Sequence, residues 1–408
     1  MTSSEVVTPS AMASTRASTD YLDGFRGLLI LIVLQVHIFY LTTHGYFETG
    51  RVQGPLPWYF EIVRWFFPAL SLVGMFVVVS GYCLMLPLAR SVDGQMVGGV
   101  LKYLKRRARR ILPPYYAAAL LSLAHTIFLS SEYHPRQNPL HVWNLISHVF
   151  VFYNFDFRWR FQINGPYWSL APEWQLYILF PIVLVPLWRK TGAAGLMAAG
   201  VLGTIGLMLV GKNVRDMHPW YLFLFVLGMV AALATESKDA RISELRDRVP
   251  WVLLSLVLFG AVFVEWAVLW FFDPAAFHMM PPMWQIYCGD ELLMGTAIAA
   301  AIIHWTRVRR SQPAAQWPHV LRFLHHKWVM LLGRFSYSHY LVHYPILITT
   351  SAIVLSFHLP LVETVLLSYV ISIPASLGLS YLFFLAVENR FLPGRQVRME
   401  RAELKAIA

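Results

Sequence analysis

Cysteine is almost missing from these 408 residues: Cys83 and Cys288 are the only two, and each lies inside an apolar run. Two such residues give neither a disulfide framework nor a thiolate-metal centre, so no metal site is expected. Charge is also scarce. Asp, Glu, Lys and Arg make up 13% of the chain, against 57% hydrophobic residues and a mean hydropathy of +0.53, which excludes an ordinary soluble domain. Acidic residues are outnumbered 22 to 33, and the resulting net charge of +11 raises nucleic acid as a partner. The placement of the basic residues argues against it. Most sit in short loops between apolar runs, where they mark the cytoplasmic side of a membrane protein. Residues 1–20 lack an apolar stretch, so no secretory signal is expected, and their small polar composition reads as a disordered cytoplasmic tail. No solenoid repeat is visible, and no soluble domain is expected at either end.

Apolar runs dominate what remains. Segments long enough to cross a bilayer fall at 27–43, 64–88, 111–129, 168–188, 194–211, 219–235, 250–272, 284–306, 329–356 and 361–387. The expected fold is therefore all-α and polytopic, with about ten transmembrane helices in the plasma (inner) membrane. The 15 Trp and 19 Tyr suit interfacial belts. With the N-terminus inside, 26 of the 33 Lys and Arg fall on inner loops and tails, so both termini are expected in the cytoplasm. The membrane domain is assigned to 21–390, with 391–408 as a second cytoplasmic tail. Between spans, His141–Phe155 is apolar but too short to cross. Its Val142, Leu145, Ile146 and Val149 recur at helical spacing, opposite His141, Asn144 and His148. It reads as an interfacial or re-entrant helix on the outer surface whose histidines form a wet polar face rather than a metal site.

His37 is the most informative residue. It interrupts the run GLLILIVLQVHIFYLTT, eleven positions after Arg26. At about 1.5 Å per residue that places it about 16 Å deep, near the middle of a core about 30 Å thick. An ionisable group is expensive there, so it marks either a functional site or an imidazole bonded to a neighbouring helix.

Four further segments carry candidates. In KYLKRRARRILPPY, residues 102–115, Arg107 and Arg110 share one helical face at the cytoplasmic mouth. The cluster is either a topology anchor or an anion cradle, since arginine presents a planar fork to phosphate. In NGPYWSLAPEWQLY, residues 164–177, Glu173 lies roughly 8 Å below the outer surface and reaches nearly the depth of His37. It is read either as a hydrogen-bonded partner of that histidine or as a packing contact. In LGRFSYSHYLVHYP, residues 332–345, His343 reaches mid-membrane with His339 one turn below. Paired histidines raise a haem reading, but nothing beyond depth supports it, and no cofactor is expected. Ser80-Gly81 in FVVVSGY, Glu265 and Asp290-Glu291 complete the candidates, the first pair read first as a helix-packing contact. Ser80, His343 and Asp290 form a secondary group.

Taken in order, YLDGFRGLLILIVLQVH, FVVVSGY, RRARRILPPY, NGPYWSLAPEWQLY and LGRFSYSHYLVHYP resemble the acyltransferase-3 family of membrane O-acyltransferases. The ending AVENRF at 386–391 resembles the family's final Glu-containing turn, with Asn389 and Arg390 replacing its usual Arg-Pro flavour. The resemblance implies transfer of an acyl group, often acetyl, from coenzyme A to a hydroxyl of a sugar or glycoconjugate acceptor. Acyl-CoA enters as a co-substrate, and the other partners are the carbohydrate acceptor and the lipid bilayer, with no nucleic acid. By position, Arg26 and His37 match the family's essential pair, Arg107 and Arg110 its Arg-x-x-Arg element, and Glu173 its acidic residue. Because the chain ends about 20 residues past its last span, the stand-alone membrane form is expected. The expected roles are His37 and Glu173 as catalytic residues, with Arg26, Arg107 and Arg110 binding the donor. His37 acts as general base in a direct transfer, or as the nucleophile of an acyl-imidazole. A transporter or acyl-group translocase without transferase activity is the alternative.

Overall fold

The computed structural model describes residues 20–48, 59–60, 71–129, 138–272 and 284–392. The two expected tails, apart from Asp20, Phe391 and Leu392, fall outside these residues, as does 64–70 of the second apolar segment. In chain order the helices are α1 (Tyr21–Glu48), α2 (Ser71–Arg90), α3 (Gly99–Phe128), α4 (Val142–Val149), α5 (Leu170–Leu179), α6 (Val185–Val210) and α7 (Lys212–Arg215). They continue with α8 (Tyr221–Glu236), α9 (Ala240–Arg248), α10 (Trp251–Phe272), α11 (Trp284–Ser311), α12 (His319–Leu324), α13 (Lys327–Arg334), α14 (Ser336–Ser356) and α15 (Leu361–Ala386). There is no strand among the described residues.

Among the described residues, six stretches of helix are long and apolar enough to cross a membrane, or seven if α8 and α9, bent by 104°, count as one. One candidate, Gly165–Val210, runs for 46 residues, roughly twice what a single crossing needs. It leaves helical conformation at Gly192 (φ 71°, ψ −170°), a backbone region open only to glycine. That break lies between the apolar segments 168–188 and 194–211. The expected count of ten exceeds the six or seven for a physical reason. Helix α8 has only 16 residues, while α11 and α14 bury polar groups (Asp290 and Glu291, His339 and His343) that dilute their apolar length.

The chain divides into two compact units. The first contains the start of α1 through Leu31, α2, α8 from Phe223, and α9 to α13. Lipid is as apolar as leucine, so helices here associate through close packing and polar bonds rather than through hydrophobic burial. Glycine supplies the close packing. A methyl group at Gly81 would strike the Phe225 carbonyl, and one at Gly228 the Val78 carbonyl, so α2 and α8 meet backbone to backbone. Gly24 and Gly333 do the same where α1 crosses α12 and α13, against the carbonyls of Leu324 and Asp23. Polar bonds add to this: Thr306 lies 2.9 Å from the Tyr21 hydroxyl and 3.1 Å from that of Tyr82.

The second unit contains α1 from Ile32, α3 to α7, α14 and α15. Leu34, Ile38 and Leu347 form a buried cluster against Tyr369, Ile373 and Leu377, joining α1, α14 and α15. Pro345 inside α14 has no N–H, which releases the carbonyl four residues earlier, that of Leu341. Asn164 Nδ2 at 3.1 Å and the Tyr167 hydroxyl at 3.2 Å both donate to it.

Helix α4 corrects the sequence expectation. Asn144, Ser147 and His148 are buried, while Val142, Trp143 and Val149 are exposed, so the polar face turns inward instead of into water. The protein satisfies that face: Asn144 donates to the Pro139 carbonyl at 2.7 Å, and Tyr115 donates to the His148 carbonyl at 3.0 Å. An apolar outer face suits lipid contact at an interface.

Candidate active site

His37 projects from the middle of α1 and keeps part of its surface accessible. Its Nδ1 lies 3.2 Å from Nε2 of His343 on α14, with the ring centroids 5.2 Å apart. His343 is fully buried, and its Nδ1 lies 2.9 Å from the His339 carbonyl and 3.0 Å from that of Tyr340. Carbonyl oxygens only accept, so the His343 proton must sit on Nδ1. Its Nε2 is then an acceptor, and His37 must donate to it from Nδ1. Neutral His37 is thereby left with a lone pair on Nε2, which makes no hydrogen bond among the described residues. Two backbone carbonyls thus dictate, through one intervening ring, which nitrogen of His37 is basic.

The remaining contacts hold this pair in place. The Tyr344 ring meets His37 edge-on at 5.6 Å, and Gly165 lies against Tyr344. His339 stacks on His343 at 5.0 Å, and its Nδ1 is 3.1 Å from Ser380 Oγ on α15. At the foot of α14, Glu388 accepts from the Ser338 amide at 3.1 Å and from its hydroxyl at 2.5 Å. The Tyr340 hydroxyl donates to the Pro166 carbonyl at 2.6 Å and lies 3.1 Å from Ser169 Oγ, which fixes the histidine helix to the segment that leads into α5.

Glu173 occupies the first turn of α5, where the Tyr177 hydroxyl donates to it. The Arg107 guanidinium lies 5.5 Å from the Tyr177 ring and 5.9 Å from that of Tyr103, the cation facing aromatic rings in both cases. The expected direct bond between Glu173 and His37 is therefore not how either is held: His37 bonds to His343, and Glu173 to Tyr177. The basic cluster on α3 also divides. Arg107 and Arg110 are half-buried, whereas Lys105, Arg106 and Arg109 are exposed.

The other candidates lie in the first unit. Arg26 donates to Asp23 Oδ1 at 3.0 Å and points a second nitrogen at Cys83 Sγ, 3.5 Å away. Ser80 precedes Gly81, the residue at which α2 meets the backbone of α8. Asp290 is buried and accepts from Trp266 Nε1 at 2.8 Å. His37, His343, Glu173, Arg107 and Arg110 all belong to the second unit, in which His343 meets His37 directly and Glu173 and Arg107 share Tyr177, so His343 belongs beside His37 instead of in a secondary group. Tyr177 is missed by the sequence reading, and Glu388 enters it only as the Glu of the AVENRF turn. Glu173 and Tyr177 stand four apart on a helix, the spacing at which side chains meet, so that pair had a signal.

Comparison with known proteins follows the same lines. A family described as an acyltransferase domain matches residues 19–385. Peptidoglycan O-acetyltransferase OatA of Listeria monocytogenes is 22% identical over 365 residues, covering 83% of this chain and 51% of that protein. O-acetyltransferase OatA of Staphylococcus aureus is 24% identical over 350 residues, covering 81% and 51% respectively. The chain spans about half the length of these curated relatives. No solved structure matches it.

Proposed function

The chain belongs to the acyltransferase-3 family, and from that premise we propose that it is a membrane O-acyltransferase moving an acetyl group from acyl-CoA to a hydroxyl of a cell-wall or other glycan. The observation that supports this reading is the directed pair of histidines, which leaves the lone pair of neutral His37 on Nε2.

In the proposed reaction, an acceptor hydroxyl gives its proton to His37 Nε2 as its oxygen attacks the thioester carbonyl carbon. The carbon–sulfur bond then breaks, and the proton passes from Nε2 to the departing sulfur. The acetyl ester and the free thiol leave, and neutral His37 is restored. General base assistance of this kind is worth typically about 10²–10⁴-fold. While His37 carries the extra proton, its Nδ1–H still donates to His343, whose own orientation is held by two carbonyls. His343 is thus a positioning residue.

Arg107 and Arg110 are proposed to hold the donor's phosphates, a charge match suited to the guanidinium fork. Glu173 acts through Tyr177, the ring on which Arg107 rests. Arg26, tied to Asp23, is proposed to anchor the start of α1. In this reading the ten apolar segments cross the plasma (inner) membrane with both termini in the cytoplasm, which delivers acyl-CoA to the basic face of α3. The relatives' named acceptor, peptidoglycan, is the first acceptor to test. Full-length protein in lipid nanodiscs is incubated with radiolabelled acetyl-CoA and peptidoglycan fragments or other glycans. Base-labile label on the glycan is the expected result. Movement of label across proteoliposomes with no ester formed would replace the enzyme by a carrier.

A further inference from the structure

Five hydroxyls recur at every fourth residue of α15: Thr364, Ser368, Ser372, Ser376 and Ser380, none more than 1% exposed. Ser368 to Ser380 covers about 18 Å of helix. Hydroxyls inside helices commonly bond back to a carbonyl one turn earlier, as Thr43, Thr126 and Thr349 do here. The serines behave differently. Ser372 Oγ lies 2.7 Å from Thr350 Oγ1 and Ser380 Oγ lies 3.1 Å from His339 Nδ1, so this face of α15 addresses α14. Between and beyond them, Ser368 Oγ and Ser376 Oγ are buried without a hydrogen-bond partner among the described residues. The same holds on α14 for Ser351 Oγ, beside Thr350, and for His339 Nε2, on a ring that is 1% exposed.

A stripe of small residues alone would mean close helix packing. Orphaned polar atoms on both helices add a requirement, because a buried group without a partner is costly and interiors commonly satisfy it with bound water. We infer that the α14–α15 seam binds a file of water molecules along Ser368, Ser372, Ser376 and Ser380, ending at His339. Water in contact with the hydroxyls and with His339 gives the histidine cluster a route for proton exchange. Each serine hydroxyl accepts one proton as it releases another, so no charge rests on it. His339 stacks on His343, and the file therefore ends one ring from the proposed catalytic pair. The inference concerns hydration of the seam and holds whether or not the chain transfers acetyl groups.

The test is deuterium exchange at histidine C2, read by mass spectrometry on full-length protein in nanodiscs, with fragmentation separating His339 from His343. This exchange needs water at the ring. Measurable His339 exchange is expected, slowed several-fold by Ser376→Leu and by Ser368→Leu, which fill the seam, and retained near the parent rate in Ser376→Gly, which leaves room for water. No detectable exchange at His339 in the unmodified protein overturns the inference, and that readout stands even if a leucine variant fails to fold. Unchanged exchange in folded leucine variants overturns it equally. Since no turnover is involved, a failed acetyl-transfer assay leaves the result readable.

Discussion

His37 Nδ1 stands 3.2 Å from His343 Nε2, and the two carbonyls behind His343 leave only one direction for that hydrogen bond. The consequence is asymmetric. His37 loses the chemistry if removed, whereas His343 loses only the orientation.

His37→Ala is expected to lower kcat by about 10²–10⁴-fold, the usual worth of a general base, in protein that is still expressed and folded. Steady-state kinetics with acetyl-CoA and glycan check it. Activity within a few-fold of the parent would remove His37 from the mechanism.

His343→Phe leaves a buried Nδ1–H on His37 without an acceptor. An unsatisfied buried donor costs about 1–3 kcal/mol, which corresponds to roughly 5- to 150-fold in rate. The loss is expected in kcat, with KM for the donor unchanged. His343→Gln, whose side-chain oxygen can accept from His37, is expected to recover part of it. A purely structural role would show no such rescue.

The basic cluster on α3 supplies a paired comparison. Arg110 is half-buried and Arg109 exposed, one position apart. Arg110→Ala is expected to raise KM for acetyl-CoA and leave kcat largely intact, while Arg109→Ala changes neither. Equal effects from both would reduce the cluster to a topology anchor, since a general positive field would not distinguish them.

How much of this was readable without coordinates depends on the kind of information each feature needs. Position along a helix follows from counting residues, so His37 and His343 are legible as polar groups inside long apolar helices. Azimuth does not follow from counting. Whether His37 faces Glu173 or His343 is decided by how α1 meets α14, and Pro345 shapes that helix's bonds through a carbonyl no motif displays. Helix α4 shows the same limit. Its period of 3.6 separates Asn144 and His148 from Val142 and Val149, but at a membrane interface the apolar face turns outward, the reverse of a soluble protein. Gly192 is the opposite case, because a break between two apolar runs is visible in their spacing.

Gly81→Ala is expected to destabilise the first unit by about 1–3 kcal/mol, as overpacking does, because the new methyl meets the Phe225 carbonyl, which cannot rotate away. Thermal melting in detergent measures it, and Gly260→Ala on α10, where an added methyl meets nothing within 4 Å, serves as a control with a much smaller shift.

The last prediction concerns pH and lies outside the candidate spans. His148 on α4 is buried, stacks on Tyr153 at 4.2 Å, and donates from Nδ1 to the Asn144 carbonyl at 2.9 Å. Burial pushes its pKa down from 6.5 to about 4, since the enclosed ring resists charge. The unfolded ring titrates near its ordinary value of about 6.5. Folding therefore keeps His148 neutral where the unfolded chain already takes up a proton. Its contribution is fully present above about pH 6.5 and is lost as pH falls toward about 4, a span worth at most about 3 kcal/mol. Melting temperatures measured from pH 7 to pH 4 should fall, and His148→Gln, which cannot titrate, should flatten that slope while lowering stability at pH 7. An identical slope in the variant would assign the acid sensitivity to other groups.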